Sequence, residues 1–87
     1  MSDRIEKDEL IERIVKRTGN SAKTVEKIVD ATLGEIYEAL KHRERVSLKN
    51  FGTFFVRPER ESWVFKFNPS QRLRKLFGWS STYKGKL

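Results

Sequence analysis

The sequence predicts a small α+β domain in which two helices are followed by a three-stranded antiparallel sheet and a short C-terminal helix. Apolar residues recur at helical spacing up to Leu40, the spacing changes to two from Val46, and a helical pattern returns after Asn68. We interpret the 87 residues as a single domain, 1–87. A chain of this length buries only about 60 to 65% of its unfolded surface, which favours a dimer over a lone monomer.

The first helix is predicted in the stretch "KDELIERIVKRTG". Its apolar residues repeat at i, i+1, i+4 and i+5 and therefore share one face. They are Leu10, Ile11, Ile14 and Val15. Asp8 is predicted as the N-cap and Gly19 as the C-terminal stop, because these residue types favour the two ends of a helix.

The second predicted helix, in "NSAKTVEKIVDATLGEIYEALKHR", is long and amphipathic, with Ser21 at its N-cap. One stripe contains Val25, Ile28, Val29, Thr32, Leu33, Ile36, Tyr37 and Leu40. This stripe is longer than the first helix can cover, so a second copy of the chain is the economical partner. Residues 1–45 are therefore interpreted as a helical dimerisation part, and Leu33, Ile36 and Leu40 as members of a dimer core.

The sheet is predicted in residues 46–67, where Val46 and Leu48 alternate with polar residues and "NFG" forms a turn. Thr53 to Arg57 reads as the second strand. Pro58 cannot donate to a ladder, so the strand either ends there or becomes an edge, and "PERES" at 58–62 is the expected connection. The third strand is Trp63 to Phe67, with aromatic residues at alternate positions on one face and Val64 and Lys66 on the other.

A last helix is predicted at residues 68–78, with Asn68 as N-cap and Pro69 as its first residue. Its inward residues are expected to be Leu73, Leu76 and Phe77, and Gly78 is expected to end it. The tail, 79–87, follows neither period and is expected to be frayed or loosely packed, with Trp79 against the body.

Charge is concentrated in the C-terminal part of the chain. Of the net charge of +7, residues 1–50 contribute +1 (eleven Lys and Arg, ten Asp and Glu) and residues 51–87 contribute +6 (eight against two). This asymmetry suits a polyanion such as nucleic acid, and the alternative is charge that serves solubility. No apolar run approaches the ~18 residues of a membrane span, so a cytoplasmic protein is expected.

No enzyme active site is predicted. The chain has no cysteine and a single histidine, and it shows no Ser/His/Asp or paired-carboxylate arrangement at a useful spacing. His42 at the end of the second helix is interpreted as a helix-terminal residue. We therefore expect no metal, no cofactor and no small-molecule substrate.

Three stretches of the chain resemble the bacterial histone-like HU and integration host factor family: "KDELIERIVKRTG", "TVEKIVDATLGEIYEALKHRERVSLKNFGTFFVRPER" and "FNPSQRLRK". The resemblance covers residues 5 to 60 and resumes at about Val64. Its most specific element, "LKNFGTFFVR" at 48–57, is similar to the family's G-F-G-T-F-x-V-R turn, with Asn50 in place of the first glycine. "FNP" at 67–69 is similar to the family's F-K-P, with Asn68 in place of the lysine.

The resemblance implies an intertwined homodimer or heterodimer. In such a dimer the first two helices form the body, and the sheets of both subunits form a saddle that sits on duplex DNA. Phe51, Phe54 and Phe67 match positions that fill the core between the subunits in the family. The family location would be the nucleoid.

The chain departs from the family after Arg57. The family's strands continue there into a long, Arg/Lys-rich β-ribbon arm, which enters the minor groove and carries a wedging proline in an R-N-P tip. In this chain "PERESW" replaces the arm, and no R-N-P occurs. Because inserted apolar wedges are what kink the duplex, we expect little bending and only phosphate contacts.

The predicted DNA-binding residues cluster around the strand ends and the third helix. They are Arg57, Arg60, Lys66, Ser70, Gln71, Arg72, Arg74 and Lys75. The alternative is a solvated charged face, part of which Glu59 and Glu61 would neutralise. The aromatic residues are interpreted as core rather than as platforms for unpaired bases, except that Phe55 and Val64 fall on the opposite sheet face.

The function predicted from these features is that of an HU-like, nucleoid-type architectural protein. It would bind duplex DNA weakly and largely without sequence preference through a basic saddle. The alternative is a protein-interaction or assembly adaptor in replication, partition or phage DNA handling, favoured if the saddle exposes an apolar surface. The expected partners are DNA and a second copy of the chain, or else a protein partner or a full-length paralogue.

Overall fold

The structure is a computed structural model that describes residues 4–76. Its elements are α1 (Lys7–Thr18), α2 (Ala22–Lys41), β1 (Val46–Leu48), β2 (Gly52–Glu59), β3 (Ser62–Pro69) and α3 (Gln71–Leu76). The predicted fold class and element order are confirmed. Contacts within the chain divide it into two compact units, Met1–Glu35 and Ile36–Leu87, and each is described by itself.

The first unit contains α1. The sequence predicted its C-terminal end correctly and its N-terminal end incorrectly. Asp8 is not the N-cap: Glu6 is, in an extended conformation and without a side-chain cap bond, and Asp8 lies in the first turn. A carboxylate there still favours the positive end of the helix dipole. The predicted stop is confirmed, because Gly19 is left-handed (φ 79°) and donates its N–H to the carbonyl of Val15.

The beginning of α2 was predicted correctly. The hydroxyl oxygen of Ser21 accepts the backbone N–H of Thr24 at 3.2 Å, as an N-cap does. An ion pair between Lys7 Nζ and Asp30 Oδ1 (2.9 Å) connects α1 to α2. It holds the pKa of Lys7 above the usual lysine value, mainly through the hydrogen bond to Asp30.

An open, mostly apolar groove of about 470 Å³ lies in this unit between side chains of the two helices. It is lined by Leu10, Ile14, Thr18, Asn20, Val25, Ile28, Val29, Thr32 and Leu33. Among the described residues of the chain, the buried apolar side chains are those of Ile11 and Val25 in this unit and Pro69 in the second unit. The apolar stripe of α2 that the sequence predicted is thus largely uncovered within one chain.

The second unit contains the sheet, in which the antiparallel strands follow the order β1-β2-β3. Phe54 pairs with Phe67, Val56 with Phe65 and Pro58 with Trp63. Because side chains alternate along a strand, these residues share one side, which we call the aromatic face. The opposite side, the polar face, contains Thr53, Phe55, Arg57, Glu59, Ser62, Val64, Lys66 and Asn68. The predicted division of the third strand between two faces is confirmed.

The hairpin between β2 and β3 is tighter than predicted. Strand β2 continues through Pro58 to Glu59, and the connection is the turn Arg60–Glu61 rather than "PERES". Pro58 is tolerated because β1 pairs with β2 only as far as Phe54, which leaves Pro58 with a strand on one side. Arg60 has φ 58°, a left-handed conformation at the first central position of the loop, as in type II′ turns.

The last helix begins later than predicted. Asn68 and Pro69 belong to β3, opposite Thr53 and Gly52, so Asn68 is not the N-cap. Ser70 takes that role and accepts the N–H of Leu73 at 3.3 Å. The strand pairing extends past the predicted boundary and moves the cap by two residues.

The inward side of α3 is smaller than the sequence predicted. Leu73 is half-buried, but Leu76 is 72% exposed, so its predicted inward position is wrong within this chain. Leu76 is the last residue of α3 (Gln71–Leu76) and lies at the end of the helix away from its junction with β3. The expectations for Phe77, Gly78 and the tail, including Trp79, lie outside the described residues.

Gly52 is the position where the sheet requires a glycine. An added Cβ would lie 2.6 Å from the carbonyl oxygen of Asn68 and 2.6 Å from the ring of Phe67. Asn50, which replaces a glycine of the related turn, adopts φ 66°, a conformation that asparagine tolerates better than most residues. Asn50 thus fits a positive φ in this turn without being a glycine.

Candidate nucleic-acid interface

The structure divides the predicted DNA-binding residues among three places. Arg57 and Lys66 lie on the polar face, and Arg60 lies on the hairpin turn. The other five, Ser70, Gln71, Arg72, Arg74 and Lys75, lie on α3 or just before it. All of them belong to the second unit, but they do not share one chemical environment.

On the polar face, Arg57 is held by a carboxylate. Its Nη2 donates to Glu59 Oε2 at 2.7 Å and its Nε to the same oxygen at 3.2 Å. Lys66 Nζ lies 4.0 Å from that oxygen. The hydrogen bond from Arg57, with the charge of Lys66, holds the pKa of Glu59 below its usual value, because both favour the charged carboxylate.

Arg45, which is not among the predicted DNA-binding residues, stacks on the aromatic residue of the polar face. Its guanidinium lies over the ring of Phe55, 4.5 Å from the centroid. Arg45 makes no ion pair among the described residues. The alternation at β1 contained the signal, because Arg45 directly precedes Val46 and therefore falls on the opposite face from it.

The polar face contains one aromatic residue, Phe55, and its ring is covered. Phe55 is half-buried, with Arg45 above its ring, and Val64 is half-buried too. The apolar area exposed on this face is therefore small, and so is the surface that would favour a protein partner there. The cation stacked on Phe55 gives the polar face a positive charge at its centre.

On α3, two of the predicted residues have structural contacts of their own. Ser70 caps the helix, and Arg74, half-buried, donates from Nη2 to Asn68 Oδ1 at 2.6 Å. Arg74 Nε is buried without a hydrogen-bond partner, which costs free energy, so the bond to Asn68 is the contact that positions this side chain. Gln71, Arg72 and Lys75 are exposed. The helix therefore offers two exposed cations for contact with phosphates.

The aromatic residues predicted for the dimer core form one cluster. Ring centroids lie 4.8 Å apart for Phe54 and Phe67, 5.6 Å for Phe51 and Phe67, and 6.3 Å for Phe51 and Phe54. Phe51 is nevertheless 47% exposed, and Phe65, which stacks on Phe54, is 55% exposed. The cluster is assembled within one chain, but a side of it remains open.

The helical residues predicted for the dimer core are also only partly covered. Leu33 is 54% exposed in the single chain, while Ile36 and Leu40 are half-buried. Near the hairpin, Arg43 lies over the ring of Trp63 at 4.1 Å, a contact that no sequence pattern indicated. Trp63 itself is 50% exposed.

Two kinds of feature are absent from the part of the chain that is described. Residues 4–76 contain no group of three or more His, Cys, Asp or Glu that could hold a metal ion. Within the same range no helix combines the length and the apolar character needed to cross a membrane.

Comparisons with known proteins agree on one family. A family model described as bacterial DNA-binding protein matches residues 5–69. DNA-binding protein HU of Thermus thermophilus is 38% identical over 70 residues, covering 80% of this chain and 72% of that protein. A solved mutant of HU from Thermotoga maritima matches with a TM-score of 0.77 and 37% identity, covering 84% of this chain and 99% of that chain.

One alignment also reveals a difference in length. DNA-binding protein HU of Thermotoga maritima is 36% identical over 87 positions, covering 79% of this chain and 94% of that protein. Since 79% of 87 residues is about 69, about 18 of the 87 aligned positions have no counterpart in this chain.

Proposed function

The chain belongs to the family of bacterial DNA-binding proteins that includes HU, and from that membership we propose the mode of binding: duplex DNA is bound weakly, with little sequence preference and little bending. Family membership indicates that the chain is an architectural DNA-binding protein. The finer proposal depends on the hairpin and on the cations around it.

The observation that carries the proposal is the two-residue turn at Arg60–Glu61. Strands β2 and β3 pair without interruption up to Glu59 and Ser62, so no ribbon extends beyond them. An arm missing at the hairpin would account for the unmatched positions in the alignment with Thermotoga maritima HU. A hairpin of this length has neither a wedge nor the surface to wrap DNA, and sharp bending needs both.

The binding surface that we propose combines the polar face with the exposed side of α3. Arg45, Arg72 and Lys75 are its cations without an acidic partner among the described residues, while Arg57, Arg60 and Lys66 lie closer to Glu59 and Glu61. We assign these cations to phosphates, and phosphate contacts carry no direct sequence information. Ser70 and Arg74 support the surface by fixing α3.

We propose further that the active form is a dimer of this chain. The open side of the phenylalanine cluster and the uncovered stripe of α2 support this, because a single chain leaves Leu33, Phe51 and Phe65 about half exposed. Large exposed apolar areas mark surfaces that associate with another molecule. A dimer would double the number of cations that face one duplex.

The test is fluorescence anisotropy of the purified protein with labelled duplex, nicked and single-stranded DNA at several salt concentrations. The proposal predicts binding to unrelated duplexes with similar affinity, and a linear fall of log K with log[salt], with a slope of about −0.9 per neutralised phosphate. It also predicts little preference for nicked DNA. Strong preference for one sequence, or an affinity that does not change with salt concentration, would contradict the proposal.

A second candidate function is that of a protein-interaction adaptor. The observation in its favour is the exposure of Trp63 and Phe65 on the aromatic face near the hairpin. An apolar protein interface would respond little to salt, so the same titration separates the two functions. The adaptor proposal gains if duplex binding is absent while Trp63→Ala abolishes capture of a protein that the unmodified chain retains.

A further inference from the structure

Glu59 ends the strand at which the hairpin turns, and it is surrounded by positive charge. Its Oε2 accepts two hydrogen bonds from Arg57, at 2.7 and 3.2 Å, and lies 4.0 Å from Lys66 Nζ. The register explains the arrangement. Arg57 and Glu59 are two residues apart on β2 and so point to the same face, and Lys66 lies opposite Phe55 on the same face.

The carboxylate oxygen occupies the position that a phosphate oxygen would take. A guanidinium that donates from two nitrogens to one anion has the geometry that arginine uses for phosphates as well as carboxylates. A phosphate that approached Arg57 would have to displace Glu59 or lie beside it, and two anions so close repel each other. Either case reduces what these two cations can contribute to binding.

We propose that Glu59 is an internal screen that limits the affinity of the chain for DNA. By holding Arg57 and Lys66, it withdraws two cations of the polar face from phosphate contact and leaves the binding to Arg45 and α3. This inference rests on the proposed function, since it concerns the same surface. It makes the carboxylate at the end of β2 a determinant of how many phosphates one subunit neutralises.

The experiment compares Glu59→Gln with Glu61→Gln. Both substitutions remove one negative charge from the hairpin, but only Glu59 pairs with cations, since Glu61 has no ion pair in residues 4–76. Glutamine keeps the size of the side chain, and thermal unfolding confirms that each variant is folded. Affinity for one labelled duplex is then measured over a range of salt concentrations.

We expect Glu59→Gln to bind several-fold more tightly at low salt and to steepen the salt slope by up to about 3.6 units per dimer, because four cations are freed and each newly engaged phosphate adds about 0.9. Glu61→Gln should raise affinity less and leave the slope nearly unchanged. Arg57→Ala should then weaken binding by a larger factor in the Glu59→Gln protein than in the unmodified one.

Each other outcome is decisive. If the unmodified protein binds duplex DNA but the two glutamine variants have equal salt slopes, the screen is disproved while the proposed function stands. If Glu59→Gln weakens binding, the carboxylate instead orients Arg57, and the inference is wrong. If neither the unmodified protein nor Glu59→Gln binds duplex DNA, both proposals fall.

Discussion

Phe54 on β2 lies directly opposite Phe67 on β3, and the centroids of the two rings are 4.8 Å apart. This pair is the centre of a cluster in which Phe51 packs on Phe67 and Phe65 stacks on Phe54. Aromatic pairs at such distances stabilise a sheet beyond the area that they bury. The outer members of the cluster, Phe51 and Phe65, remain about half exposed in one chain.

Phe51→Ala should dissociate the dimer. If the open side of the cluster is covered by a second subunit, truncation removes a buried ring and costs about 3 to 5 kcal/mol of dimer stability. Size-exclusion chromatography with light scattering measures the mass, and urea unfolding at fixed protein concentration measures the stability. Phe51→Leu is the control and should remain dimeric. A folded monomer of the unmodified chain at micromolar concentration would refute the dimer.

Arg45→Ala should weaken binding to unrelated duplexes by similar factors. The guanidinium over Phe55 is the cation at the centre of the polar face that has no ion pair among the described residues. Its loss from both subunits should flatten the salt slope by up to about 2 units, since each lost phosphate contact removes about 0.9. Fluorescence anisotropy at several salt concentrations measures both the affinity and the slope. A loss that differs between DNA sequences would instead indicate base readout.

Ser70→Ala should destabilise the protein without changing how affinity depends on salt. The hydroxyl oxygen caps α3 by accepting the N–H of Leu73, and a lost cap costs about 0.5 to 2 kcal/mol. Urea unfolding measures the cost, and Ser70→Asp, which keeps a capping oxygen, is the control. A flatter salt slope in the folded alanine variant would show that Ser70 contacts phosphate as well.

The protein should change the path of DNA far less than an HU protein that carries a full arm. The reason is the two-residue turn, which leaves no ribbon to insert a wedge between base steps. Energy transfer between dyes at the two ends of a short duplex, at equal occupancy of both proteins, measures the difference. A sharp bend would mean that Trp63, Phe55 or the residues after Leu76 act as the wedge.

Acid should destabilise the hairpin through Glu59. The pKa of this carboxyl is lower in the folded protein, because Arg57 and Lys66 favour its charged form. Its contribution is therefore present above the unfolded pKa and is lost as the pH falls through the folded pKa. Unfolding by urea at pH 6 and at pH 3 should show a smaller acid-induced loss for Glu59→Gln than for the unmodified protein. Equal losses would show that the ion pair does not stabilise the fold.

Periodicity predicted the elements well where one face of each is clearly apolar. The helical spacing around Ile11, the cap at Ser21 and the two faces of β3 were all correct, because these features depend on local patterning. The family resemblance added the sheet topology. The errors occurred at element ends, where Pro58 and Asn68 were judged from their intrinsic preferences although strand pairing determined their conformation.

The site was less predictable than the fold. Composition indicated a basic end, but it could not show that Arg57 is paired with Glu59 or that Arg74 is half-buried against Asn68. Those contacts depend on which face a side chain occupies and on how far the strand continues. Arg45 was missed although the alternation at β1 contained the signal, because the residue before Val46 was not assigned to a face of the sheet.

The tight turn at Arg60–Glu61 has a consequence for building proteins on this scaffold. Because β2 and β3 remain paired to their last residues, the hairpin can be lengthened between Glu59 and Ser62 in steps of two residues per strand, which keep the same kind of pair next to the turn. Adding the same number of residues to both strands leaves every existing cross-strand neighbour in place. β-Ribbons of increasing length can therefore be added to one unchanged sheet. The present chain is then the reference without a ribbon, against which the contribution of each added residue pair to DNA wrapping is measured.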